Sequence, residues 1–229
     1  KVHAKAILAQ PAASLVAVAD AHAPSADALA AICGARVSTI DLILADAAID
    51  AVVICTPTDT HADLIERFAK AGKAIFCEKP IDLNIDRVKA CLAVVQACKV
   101  ALMVGFNRRF DPHFAALRGE IDKGNIGAVE MAVITSRDPG APPLDYIKRS
   151  GGIFRDMTVH DFDMARFLLG EEIAEVSATA AVMVDQAIGE AGDFDSVQVL
   201  LKTASGRQAV ISNSRRATYG YDQRIEVHG

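Results

Sequence analysis

The sequence predicts an α/β chain: a doubly wound parallel sheet, then an α+β domain built on a large, open, mostly antiparallel sheet. Two observations predict it. In the first half, short continuous apolar runs alternate with capped helical segments, as expected of strands buried on both faces of a parallel sheet. In the second half the strand-like runs change to period-two alternation, the pattern of a sheet with one covered face. The change places a boundary near Val104, giving units 1–104 and 105–229.

The apolar runs of the first unit are Leu15–Ala19, Ala51–Cys55, Ala74–Cys77 and Val100–Val104, rich in Val and Ile. Ser25 is placed to cap a helix ending at Gly34, Thr39 one through Ala45, and Thr60 one running to Ala71 and closed by Gly72. Asp82 or Asn84 can begin a helix through Cys98. Strand, helix, strand in succession makes βαβ units. In the second unit, Pro112–Lys123 reads as a helix, Val129–Ser136 as a strand, and Asp138–Gly152 as a Pro- and Gly-rich loop. Phe154–Leu169 reads as a helix closed by Gly170. The remaining strands are Ile173–Val184, Ser196–Lys202, Gln208–Ser214 and Gln223–Val227, with Ala204-Ser205-Gly206 turning one hairpin. Lys1 opens directly into a helical pattern and Gly229 follows a strand-like run, so the chain reads as part of a longer protein.

Composition bounds the function. A net charge of −5 over 229 residues, with no basic stretch, argues against nucleic acid as a partner. Arg108-Arg109 and Arg215-Arg216 read as pairs on a solvated face. The five cysteines form no CxxC pair, and Cys55 and Cys77 sit in apolar runs as small hydrophobes, a pattern of reducing compartments. No apolar stretch approaches twenty residues, so no membrane span is expected and the reading is cytoplasmic.

Ligands of open α/β sheets lie at the carboxyl ends of the strands, and three ends stand out. Asp20 closes the first run; an acid there accepts hydrogen bonds from an adenosine ribose and repels a 2′-phosphate, or else simply starts a turn. The glycine-rich turn that normally precedes such an acid by about twenty residues falls before Lys1. Thr56 and Pro57 follow the second run, small and flat enough for a ring to approach the backbone, with His61 on the next helical turn. An ordinary capped strand-to-helix turn reads the same way.

The third end is Glu78-Lys79-Pro80. An ammonium there could hydrogen-bond a substrate hydroxyl and stabilise the alkoxide that develops as hydride departs, with Glu78 as its anchor. Pro80 restricts Lys79 to extended backbone. Farther on, Asp156, His160 and Asp163 are spaced by four and three residues, one face of an α-helix. A histidine with a carboxylate one turn away suits general-base work near neutral pH. A surface salt bridge fits the spacing equally, and a metal held by Asp, His and Asp ranks behind both.

Together Val18-Ala19-Asp20, Thr56-Pro57 with His61, Glu78-Lys79-Pro80, and Gly151-Gly152 leading to Asp156 and His160 resemble the glucose–fructose oxidoreductase, inositol dehydrogenase and MocA family. The resemblance runs from Lys1 to Gly229 and lacks the family's first strand and C-terminal part. It implies a Rossmann-type first domain that binds NAD, or less favourably NADP, and a second domain that binds a small polyol or sugar and assembles homotetramers. It also implies that Asp20 holds the ribose, that Thr56, Pro57 and His61 line the dinucleotide path with Glu78 beside it, and that Lys79 meets both nicotinamide and substrate. His160 would accept the hydroxyl proton and Asp156 would orient it, which makes Lys79, Asp156 and His160 the candidate catalytic residues. Arg108, Asp163 and Tyr221 would contact the polyol, and no metal is implied. Val104–Asp111 and Tyr219–Asp222 resemble the inositol-oxidising members most, with an aldose or another inositol isomer as the alternative substrate.

Overall fold

The computed structural model describes residues 1–229, which divide into two compact units, Lys1–Gly105 and Phe106–Gly229.

The first unit contains α1 (Val2–Leu8), β1 (Ala17–Val18), α2 (Ala23–Cys33), β2 (Arg36–Val37), α3 (Ile40–Ala45) and β3 (Ala51–Ile54). A 3₁₀ turn (Thr58–Thr60) leads to α4 (His61–Lys70), β4 (Ala74–Cys77), α5 (Ile85–Cys98) and β5 (Leu102–Val104). All strand pairs are parallel, in two separate sheets: β1 with β2, and β3-β4-β5. The short β2 was not expected from sequence; its two residues are exposed and polar-apolar, without a run to mark them. In α4, Ala62, Ile65, Phe68 and Ala69 form the buried stripe at helical spacing. The stripe packs with Ile54, Ile75, Cys77, Cys91 and Val95 into one core.

Two of the expected caps hold. Thr39 accepts from the Leu42 N–H (3.2 Å) and Asn84 from the Asp86 N–H (2.8 Å). Ser25 does not cap α2: the helix begins one turn earlier, after His22, and the Ser25 hydroxyl sits 3.0 Å from the His22 ring. Thr60 does not cap α4, because its hydroxyl donates backward to the Pro57 carbonyl (2.7 Å) and closes the 3₁₀ turn.

The second unit begins with a 3₁₀ turn (Asn107–Phe110) and α6 (Pro112–Asp122), capped by Asp111. Then come β6 (Met131–Arg137), α7 (Leu144–Ser150), a π-helical turn (Phe154–Thr158), α8 (Val159–Leu169) and β7 (Ile173–Ala181). It ends with α9 (Gln186–Glu190), β8 (Ser196–Thr203), β9 (Gln208–Ser214) and β10 (Asp222–His228). The five strands lie in the order β10-β6-β9-β8-β7, antiparallel throughout except for β6 beside β9. Alternate residues Val197, Val199 and Leu201 of β8, with Ala209 and Ile211 of β9 and Ile134 of β6, face Met164, Ala165, Leu168 and Leu169 of α8.

Two local expectations need correction. The stretch from Asp138 to Gly152 is not all loop, since it contains α7 after Pro143. The segment from Phe154 to Leu169 is not one regular α-helix, since it opens as a π-helical turn. No helix is long and apolar enough to cross a membrane.

Buried Asp195, at the start of β8, organises the link from β7 to α9. Its carboxylate accepts the N–H groups of Met183 and Val184 (both 2.8 Å) and Asp185 (3.0 Å), and the Ser196 hydroxyl (2.9 Å). Burial opposes ionisation, but these donors outweigh it and hold the Asp195 carboxyl below the usual carboxylate range. A carboxyl with a lowered native pKa stabilises the fold above its ordinary value, about 3.9, and the contribution is lost as pH falls through the native value. Asp195→Ala removes the shared acceptor of three backbone donors and is expected to cost ~2 kcal/mol in urea unfolding at pH 7. The gap between wild type and variant should narrow below about pH 4. An equal gap at pH 7 and pH 3 would show that the charge contributes nothing.

Candidate active site

In the first unit the candidate residues stand at the carboxyl ends of the parallel strands. Asp20 lies two residues beyond β1, exposed, with Oδ1 accepting the His22 N–H at 2.8 Å. The turn expected as the bland reading of Asp20 is therefore present, and it uses one carboxylate oxygen. Thr56 and Pro57 follow β3, where the Thr56 and Thr60 hydroxyls lie 2.6 Å apart.

His61 needs correction as a residue lining an open path. It is 1% exposed, with Nδ1 2.8 Å from the Pro80 carbonyl oxygen and Nε2 2.7 Å from that of Thr56. The ring ties the turn after β3 to the turn after β4 and presents no face to a ligand.

Glu78, Lys79 and Pro80 follow β4, and the Lys79–Pro80 bond is cis. The Glu78 carboxylate lies 2.6 Å from Nε2 of His3, whose ring packs on Phe76 with centroids 5.2 Å apart. Glycine at 105 leaves room for this packing: a Cβ there would stand 3.1 Å from Glu78 Oε2 and 3.2 Å from Phe76. Glu78 is thus a post in the strand-end framework, anchored to α1. Lys79 stands between two fixed neighbours at the strand-end edge. This donor set suits a dinucleotide: an exposed acid beyond β1, a small hydroxyl-bearing turn beyond β3 and an ammonium beyond β4.

In the second unit Asp156 lies in the π-helical turn and His160 is the second residue of α8. The Phe106 ring meets His160 edge-on, with centroids 6.3 Å apart at 87°. The Tyr146 hydroxyl, from α7, donates to Asp156 Oδ1 at 2.7 Å, and Arg215 Nη1 lies 3.6 Å from Asp156 Oδ2. Burial, then donation to Asp156, pushes the Tyr146 hydroxyl up to about 12, so it remains a donor at any working pH.

Asp156 stands in the π-helical turn, and His160 and Asp163 stand three residues apart in α8. A π turn does not keep the 3.6-residue period. Asp163 is buried against Arg109, whose Nε donates to it at 2.7 Å, so it is neither a polyol contact nor the third member of a metal set.

Arg108 is not on a solvated face. Its Nη1 pairs with fully buried Asp161 and donates to the Ser136 hydroxyl at 3.0 Å. Asp161 also accepts from Ser136 (2.6 Å) and Asn213 (2.8 Å), and Asn213 accepts from Thr158 (2.6 Å). Exposed Tyr221 and Asp138 interact electrostatically, and Arg108 and Asp156 both act on that pair. Burial raises the Asp138 carboxyl first, against the lowering pull of Arg215. The structure thus brings Arg108, Asp156 and Tyr221 into one polar group and leaves Asp163 outside it.

Sequence reasoning missed Tyr146, Asp138, Asp161, Asn213 and Arg215. Arg215 had a signal. Ala209, Ile211, Asn213 and Arg215 are all buried, so extending the period-two register of β9 by one residue turns Arg215 inward. Tyr146 had none, because α7 lies in a segment read as loop.

Comparison with known proteins assigns the chain. Residues 1–106 match the model of an oxidoreductase family with an NAD-binding Rossmann fold, and residues 114–229 match the GFO/IDH/MocA C-terminal domain. The chain is 74% identical over 229 residues to inositol 2-dehydrogenase of Rhizobium meliloti (strain 1021), covering all of this chain and 69% of that protein. It superposes on a myo-inositol dehydrogenase from Corynebacterium glutamicum with a TM-score of 0.95 at 48% identity, over 100% of this chain and 68% of the other. It superposes on scyllo-inositol dehydrogenase from Lactobacillus casei with bound NAD(H) and scyllo-inositol with a TM-score of 0.90 at 30% identity, over 100% and 70%. A Rossmann unit with parallel strands and a second unit on a mixed five-stranded sheet, each matched by its own model, make this chain a member of the GFO/IDH/MocA family of oxidoreductases.

Proposed function

We propose that the protein oxidises one hydroxyl of myo-inositol to the ketone and passes hydride to NAD. The observation that carries this reading is 74% identity, over the whole chain, to an inositol 2-dehydrogenase. The Asp156–Tyr146 and Arg108–Asp161 networks supply the polar lining a polyol requires. An aldose or another inositol isomer is the competing substrate, and kcat/KM over a panel of polyols decides between them.

NAD, when bound, accepts the hydride from the carbinol carbon. The residues of this chain handle the other half of the reaction, the proton. Lys79 donates a hydrogen bond to the substrate hydroxyl and holds the oxygen as negative charge develops. His160 takes the hydroxyl proton, so that C–H and O–H bonds are exchanged for a C=O double bond with nothing left over. Asp156 orients His160 and offsets the imidazolium that forms. Arg108 and Tyr221 contact the remaining hydroxyls through the Asp138 group. Asp20 accepts the adenosine ribose hydroxyls, with Thr56 and Pro57 along the same path.

The assembly we propose is a homotetramer in the cytoplasm. Leu200, Val210 and Val133 lie in register across three strands on the sheet face away from α8, an apolar row suited to a second copy. Five free thiols suit a reducing compartment.

In steady-state assays of the full-length protein with myo-inositol and NAD, Lys79→Ala and His160→Ala are each expected to lower kcat by about 100-fold or more. Near-normal turnover in both would overturn the mechanism. The Asp20 charge opposes a 2′-phosphate, so kcat/KM should favour NAD over NADP by on the order of 10-fold or more, and Asp20→Ser should narrow the ratio. Equal values for both cofactors in the wild type would refute that role. Light scattering at assay concentration should give four times the chain mass; a monomer would rule out the tetramer.

A further inference from the structure

Arg215 follows β9, continues its buried side and is 1% exposed. Its Nη2 lies 3.4 Å from Asp193 Oδ2 and its Nη1 3.6 Å from Asp156 Oδ2. Asp193 in turn receives the Ile153 N–H on Oδ1 at 2.9 Å. That contact fixes the first residue before the π-helical turn, and it leaves no space for a side chain at residue 152. A Cβ on Gly152 would stand 2.8 Å from Asp193 Oδ1, and Gly152 has φ +84°, which L side chains rarely adopt. Both ends of the link from Arg215 therefore converge on one turn: Asp193 on its backbone, Asp156 on its side chain.

The other oxygen of Asp156 is taken by a different element. Tyr146, on α7, donates to Oδ1 at 2.7 Å. A carboxylate held at one oxygen can pivot, and a buried guanidinium 3.6 Å from the other oxygen restrains that motion by charge.

We propose that Tyr146 and Arg215 are positioning residues for the reaction, locking Asp156 from both oxygens so that it acts as a fixed anion toward His160. This rests on the reading of Asp156 and His160 as the proton-handling pair of a polyol dehydrogenase. Neither residue touches the reacting atoms in this account. Their effect runs through the orientation of Asp156, and so it falls on the chemical step and spares cofactor binding, which belongs to the first unit.

The test is Tyr146→Phe and Arg215→Lys in the full-length protein, with kcat, both KM values and the primary deuterium isotope effect measured on polyol labelled at the oxidised carbon. Tyr146→Phe removes one hydroxyl from a residue that is 45% exposed, so it should fold normally and can carry the test by itself. The expected result is a fall in kcat of about 10- to 100-fold, an unchanged KM for NAD, and an isotope effect larger than in the wild type. Arg215→Lys keeps the charge and should lose less than Arg215→Met. A purely structural role would lower kcat only in proportion to folded protein and leave the isotope effect where it was. Wild-type kcat and isotope effect in both Tyr146→Phe and Arg215→Lys would overturn the proposal while leaving the dehydrogenase reading intact. A wild type that oxidises no polyol would instead bring down that reading, and the positioning roles with it.

Discussion

A guanidinium sealed from solvent requires carboxylates around it, because an unpaired buried charge costs several kcal/mol. Arg215 meets that requirement with Asp156 and Asp193, and much of the second unit follows from the choice. Asp193 can approach only if residue 152 has no side chain, so glycine stands there. With the Ile153 N–H drawn to Asp193, the chain enters the next helix through a π turn, and that turn carries Asp156. His160 then falls at the start of α8, against Phe106. One buried cation thus sets a backbone geometry and a side-chain orientation together.

The place where this happens is dictated by the sheet. β6 and β9 are the only parallel neighbours in it, so their carboxyl ends lie at the same edge. β8 runs antiparallel to β9, which brings its start to that edge too. Along β6 and β9 the core-facing positions are apolar until this edge and polar at it, and the approach to β8 is polar there too. In β6 the order is Ala132, Ile134, then Ser136; in β9 it is Ala209, Ile211, then Asn213 and Arg215; ahead of β8, Asp193 and Asp195 precede Val197. The hydrophobic layer under α8 ends where the polar group begins. An antiparallel β6 would send Ser136 to the opposite edge, and Arg108 would lose the Ser136–Asp161 pair that holds it.

Most of the fold was legible because its signals are local. Continuous Val- and Ile-rich runs marked β3, β4 and β5, and period-two alternation marked β8 and β9 to within a residue. Illegible elements lacked such signals. β2 is two residues long, α7 hides among Pro and Gly, and a π turn has the same composition as an α-helix. Of the candidate site, Lys79 and Thr56 stand at strand ends, as the alternation of strands and helices implied. Asp163 was misjudged because its partner, Arg109, lies 54 residues away, and no spacing rule reaches across that separation. The Arg215-Arg216 pair looked solvated because adjacent charges usually are, yet a strand puts neighbours on opposite faces: Arg215 is buried and Arg216 exposed.

The same logic explains how the first unit frames Lys79. A lysine side chain has four rotatable carbons and spends entropy whenever it is held, so precision has to come from the backbone beneath it. Glu78 on one side is fixed by His3 and by the absence of a side chain at Gly105. Pro80 on the other side is fixed through its carbonyl by His61, which also grips Thr56 at the end of the neighbouring strand. His61 therefore earns its place as a strut: two ring nitrogens reach two turns that no single short side chain could join. A residue chosen for that task has to be buried, which is why the histidine expected to line an open path lies beneath the two turns it joins.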